Sequence, residues 1–95
     1  MKITLGENVF PLRADMLAIK HAQEEHGVEI QNLDGGSLVH VGTMLFHFAR
    51  RGCEVQRVSF ELSLDEFLGL IEVSQIEYLG NVLSSLMEGG KEKKT

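Results

Sequence analysis

The residues best equipped for metal or acid–base chemistry lie in "HAQEEHG", positions 21 to 27, where two histidines flank two glutamates. Helical zinc sites of the H-E-x-x-H type place histidines at i and i+4, one above the other, so that both reach a single ion. His21 and His26 stand at i and i+5. At about 100° per residue their imidazoles diverge by roughly 140° around a helix, too far to close on one metal. His40 and His47, at i and i+7, share a face but stand about 10 Å apart along the axis. These spacings predict no metal site and no cofactor. Glu24 and Glu25 are adjacent, and neighbouring helical residues point about 100° apart, so the pair reads as a solvated face instead of an acid–base couple. Cys53 is the single cysteine; it excludes an internal disulfide, and no base is placed beside it to make it a nucleophile. The glycines mark turns and helix ends, and neither Gly-Gly pair has the strand and lysine context of a phosphate loop. The chain is therefore expected not to be an enzyme.

The elements that must position these residues follow from hydrophobic periodicity. "KITL" alternates polar and apolar, "GEN" supplies turn chemistry and "VFPL" resumes the extended pattern, which predicts an N-terminal β-hairpin with Pro11 marking its second strand as an edge. A helix is expected from about Ala14, with Leu17, Ala18 and Ala22 on one face and Gly27 as a left-handed cap after His26. "VEIQNLDGGS" reads as a connector, with Ile30 and Leu33 able to turn inward and Ser37 as N-cap of the next helix. That helix, roughly Leu38 to Arg51, is apolar almost all round. It is expected to sit at the centre of the core while also offering a face to a partner. Arg50, Arg51 and Arg57 then read as cations near the end of a helix that stops at Gly52. "CEVQRVSFEL" predicts a short extended piece or an irregular crossing. Ser63 and Glu66 satisfy the capping-box spacing for a third helix through Phe67, Leu68, Leu70 and Ile71. The same spacing recurs at Ser74 and Glu77, predicting a break near Val73 before a fourth helix. That helix carries Ile76, Leu79, Leu83 and Leu86 as a core stripe and stops at Gly89 and Gly90.

The fold class expected is therefore mainly α within α+β, a short N-terminal hairpin followed by about four helices. Residues 1–90 would form one domain, with 91–95 a disordered basic tail. At 95 residues and 43% hydrophobic, the chain has room for one modest core, so self-association into a homo-oligomer is expected to add stability. "MKITLGENVFPLR" has no apolar signal-peptide core, and the longest apolar run, "LVHVGTMLFHFA", is too short for a membrane span, so the cytoplasm is the expected location. Formal net charge is −5, but Lys91, Lys93 and Lys94 mask a body of −7 over residues 1–90. Such a body repels phosphate backbones, which disfavours nucleic-acid binding; a helix-turn-helix reader would also need a basic helix where the second helix is apolar.

The order of a hairpin "ITLGENVFPLR", a helix "MLAIKHAQEEHG", a connector, an apolar helix, "SLDEFLGLI" and a last amphipathic helix resembles the tail assembly chaperones of long-tailed bacteriophages and prophages. The resemblance runs over nearly the whole chain. It implies a cytoplasmic, non-catalytic protein that escorts the long helical tape measure protein, assists tail tube protein polymerisation around it and is lost from the finished particle. It also implies a longer form made by ribosomal frameshifting, for which the codons of "MEGGKEKKT" could supply a slippery run. Aromatics and adaptable methionines dominate such contacts, so Met44, Phe46 and Phe48 of the second helix and Tyr78 and Met87 of the fourth are the expected partner-binding residues. The competing expectation is a small acidic adaptor or regulatory domain that recruits a basic protein through its charge.

Overall fold

The computed structural model describes residues 1–28 and 38–87. Two antiparallel strands, β1 (Lys2–Leu5) and β2 (Asn8–Pro11), pair with Lys2 opposite Pro11 and Leu5 opposite Asn8. Gly6, with φ of 64°, opens the two-residue turn between them. Alternation sends Ile3 and Leu5 fully into the core and leaves Lys2 and Thr4 outside. Helix α1 (Met16–His26) begins slightly later than the pattern starting at Ala14 suggests, because Asp15 is its N-cap and accepts from the Ala18 amide at 3.1 Å. Gly27 closes it in the left-handed conformation, as its sequence position predicts. The connector beyond Val28, with Ile30, Leu33 and the expected cap Ser37, lies outside the described residues, as do Gly89, Gly90 and the basic tail.

Helix α2 (Leu38–Gln56) is the axis of the domain: Gly42 through Ala49 are buried without interruption, and α1, α3, α4 and β2 all pack on it. It runs five residues past the expected stop. Gly52 is not a terminator but a contact, since the Pro11 carbonyl of β2 lies against its Cα where a side chain would project. The helix ends instead at Arg57, which takes φ of 60°; the Arg57 amide donates to the Glu54 carbonyl at 3.1 Å and Val58 to Cys53 at 2.8 Å. This is a Schellman closure with an arginine in the place glycine usually fills. Cys53 to Gln56 are thus helical, and the irregular crossing is confined to Val58–Leu62, with no strand there.

Helix α3 (Leu64–Leu68) carries the reciprocal capping box foreseen at Ser63 and Glu66, but it lasts five residues before Leu70 and Ile71 turn tightly behind it. The break near Val73 is a 3₁₀ turn, Val73–Gln75, leading into α4 (Ile76–Met87). Its cap sits two residues earlier than the Ser74 and Glu77 spacing suggests: the Gln75 side chain accepts from the Glu72 amide at 3.1 Å. Leu79 and Leu83 of α4 are buried, with Ile76 and Leu86 half-buried on the same stripe. Four phenylalanine rings, Phe10, Phe46, Phe60 and Phe67, pack edge-on or tilted at centroid distances of 5.5 to 6.4 Å, locking β2, α2, α3 and the crossing together.

Candidate functional site

Two features stand apart from the core. The first is an open apolar groove of about 240 Å³, lined by Leu38 and Val39 from the start of α2, Leu68 and Ile71 from the end of α3 and just beyond it, Val73, and Ile76 at the start of α4. It exists because α3 stops early and the chain turns back over α2. Gly42 permits the approach, since a Cβ there would fall 2.7 Å from the Leu68 side chain. Leu38, Val39 and Val73 remain 52%, 59% and 82% exposed, so the groove has an exposed apolar lip. Among the described residues its wall holds no titratable side chain, and it is smaller than the roughly 300 Å³ at which small-molecule pockets begin. The arrangement suits intruding apolar side chains better than a substrate that must be oriented by polar groups.

The expected partner-binding residues divide. Met44 and Phe48 are fully buried and Phe46 is 3% exposed, so these three fill the core and offer no surface to a partner in this fold. The physical reason is the depth of α2: with packing on every side, its widened apolar face is consumed internally. Tyr78 and Met87 stay exposed, at 40% and 37%. Tyr78 has a structural task as well, because its hydroxyl accepts the Thr4 amide on the open side of β1 at 3.2 Å. Sequence reasoning missed Leu38, Val39 and Val73 as surface residues.

The second feature is a polar cluster between α1 and α2. His26, the last residue of α1, places Nδ1 2.8 Å from Nε2 of His47, which is 1% exposed in the middle of α2. Arg50, one turn on, donates to Glu25 at 3.0 Å and lies 3.3 Å from His47 Nδ1. A guanidinium can only donate, so Nδ1 of His47 accepts, Nε2 carries the proton, and His26 Nδ1 accepts it. Burial, then the nearby charges of Arg50 and His26, push His47 down to a pKa of about 4, so it is neutral near pH 7. The Arg50 hydrogen bond holds the Glu25 carboxyl below its ordinary value despite partial desolvation. Beside Arg50, Arg51 donates to Asp15 at 2.8 Å and to Glu54 at 3.2 Å. At Asp15 desolvation acts upward, but the Ala18 amide and Arg51 outweigh it and the carboxyl stays low. Arg50 and Arg51 therefore bind α1 to α2 by ion pairs, and are not placed at a helix end as their spacing before Gly52 suggests. Cys53 is buried, and burial pushes its thiol up, away from nucleophilic use.

A scan against protein-family models finds no match to this chain, and comparisons with curated proteins and with solved structures find none either. Among the described residues, no helix is long and apolar enough to cross a membrane.

Proposed function

We propose that this protein is a non-catalytic tail assembly chaperone that binds the tape measure protein in the cytoplasm of a bacterial host and assists tail tube polymerisation. The observation that carries the reading is the apolar groove with its exposed lip of Leu38, Val39 and Val73. A long helical client exposes apolar stripes at i, i+3 and i+4 spacing, and a groove lined, among the described residues, by six aliphatic side chains accepts such a stripe as a helix-in-groove contact. The element order along the chain supports the same reading through its resemblance to that family. Exposed apolar area on so small a domain is also what reversible coating by several copies requires.

A second reading is favoured by the charge of the body, −7 over residues 1–90: an acidic adaptor that recruits a basic regulator. The two part on salt. Apolar docking holds as ionic strength rises, whereas charge-led recruitment weakens within the Debye screening range. Affinity purification of the tagged protein from cells producing the particle, with mass spectrometry of the retained proteins and of the bait, tests the proposal. Co-purification of the tape measure protein, together with a C-terminally extended bait, is the expected outcome. A small basic protein retained in its place, lost on a high-salt wash, would transfer the assignment to the adaptor.

A further inference from the structure

The cluster of Glu25, His26 and His47 converges in a way that the within-helix spacings of the histidines do not reveal. One ligand-capable atom from each of the three lies within 4.8 Å of the other two, drawn from two helices. We propose that these three side chains form a binding site for a divalent transition metal of the zinc class, which pins the end of α1 to the middle of α2.

The donor set suits that class. Two imidazole nitrogens and a carboxylate oxygen form a common three-ligand zinc set, with a solvent molecule free to take a fourth tetrahedral position. His47 is the fixed ligand, immobilised by its burial in α2, while Glu25 and His26 lie at the exposed end of α1 and can adjust. Tetrahedral bonds of about 2.0 to 2.1 Å place two nitrogens roughly 3.4 Å apart. The His26 and His47 nitrogens are 2.8 Å apart, so the imidazoles need separate by only about half an ångström. No proton is lost on balance: His47 gives up its Nε2 proton to solvent and takes one up at Nδ1, so both imidazoles stay neutral while each lends the metal one lone pair.

Arg50 is the antagonist of the site. It holds Glu25 at 3.0 Å and faces His47 Nδ1 at 3.3 Å, where a metal-bound His47 would present an N–H that Arg50 cannot accept. Metal binding therefore requires Arg50 to swing away from both, which its partly exposed side chain allows. The site is weakened by a cation that serves as its stand-in: in the metal-free fold Arg50 neutralises Glu25, and in the metal-bound fold the ion does. Replacing Arg50 by glutamine removes the competing charge and supplies an amide oxygen to accept the His47 Nδ1–H, the outer-shell bond that ligating histidines usually make.

The test is titration of the purified full chain with Zn²⁺ by calorimetry and with Co²⁺ by visible absorption, alongside His26→Gln, Arg50→Gln and, as a control outside the cluster, His40→Gln. Expected are one ion per chain, tetrahedral-type cobalt bands, an affinity unchanged in His40→Gln and lowered at least about 100-fold in His26→Gln, and a gain of about 10- to 100-fold in Arg50→Gln. His26 and Arg50 are surface-reachable, so circular dichroism of both variants should match the parent and keep the comparison one of binding. No saturable binding to the parent chain below about 1 mM overturns the proposal. So does equal affinity in parent and His26→Gln, or no gain in Arg50→Gln.

Discussion

Replacing Gly52 by alanine should destabilise the domain although it improves the helix. The added methyl would overlap the Pro11 carbonyl oxygen, and it would lie 2.6 Å from the Pro11 carbonyl carbon and 3.0 Å from the Leu12 nitrogen. All three are backbone atoms, so no rotamer change relieves the clash; β2 must move off α2. The Arg13 amide, which donates to the Phe48 carbonyl at 3.0 Å one turn away, is strained by the same movement. Overpacking costs about 1 to 3 kcal/mol and a weakened hydrogen bond up to about 1 kcal/mol, against a gain of about 1 kcal/mol in helix propensity. With three backbone atoms met at once the overpacking falls in the upper part of its range, about 2 to 3 kcal/mol, so the net loss is about 1 to 3 kcal/mol, which for a domain of this size lowers Tm by roughly 10 °C. Gly80 supplies the control: it lies within α4, and a methyl added to it would meet no atom of the described residues within 4 Å, so Gly80→Ala should raise stability by up to about 1 kcal/mol. Thermal and urea unfolding followed by circular dichroism measure both. A Gly52→Ala protein as stable as the parent, or more so, would refute the close approach of β2 to α2.

Further outcomes follow from named residues. His47 binds its proton near pH 4 in the fold against an ordinary value of 6.5, so between these values the unfolded chain holds more protons. Stability should therefore be complete above about pH 6.5 and fall by up to about 3 kcal/mol towards pH 4, with Glu25 adding its own loss as pH falls below 4.5 and Asp15 below 3.8. An NMR titration placing His47 near 6.5 would refute the buried neutral assignment. Arg57→Gly should stabilise by about 1 kcal/mol, because it relieves a left-handed conformation costly for any residue with a Cβ; a drop in urea midpoint would show that the arginine side chain matters more than its backbone. Val39→Asp, on a residue 59% exposed, should leave Tm within a few degrees of the parent while weakening client binding at least about tenfold, since a desolvated carboxylate would face an apolar groove.

What was legible in the sequence was local. The hairpin, the Gly27 cap, the Ser63–Glu66 capping box and the Leu79 and Leu83 stripe each depend on residues within one turn or one strand pair, and the structure shows them where the pattern puts them. Most departures depend on contacts far apart in the chain. Gly52 looks like a stop until β2 is laid across it, and then it is the one residue type that fits. Met44, Phe46 and Phe48 look like spare apolar surface until α1, α3, α4 and β2 surround α2. His26 and His47 are 21 residues apart, and no helical period pairs them; only the packing of α1 on α2 brings their nitrogens to 2.8 Å. Asp15 is a different case, since an aspartate directly before an apolar-periodic segment is a cap signal that the pattern beginning at Ala14 obscured. The groove depended on how far α3 would run, and its early stop follows from Leu70 and Ile71 turning behind Phe67 and Leu68.

Docking of a helical tape measure segment in the apolar groove is tested most directly by the affinity of the purified chain for such segments. The measurement is taken at about 0.05 M and about 0.5 M salt, for the parent and for Val39→Asp. Saturable binding that changes little with salt and weakens at least about tenfold in the variant is the predicted result. Binding that fades as salt rises and is indifferent to Val39, or no binding at all, would contradict it.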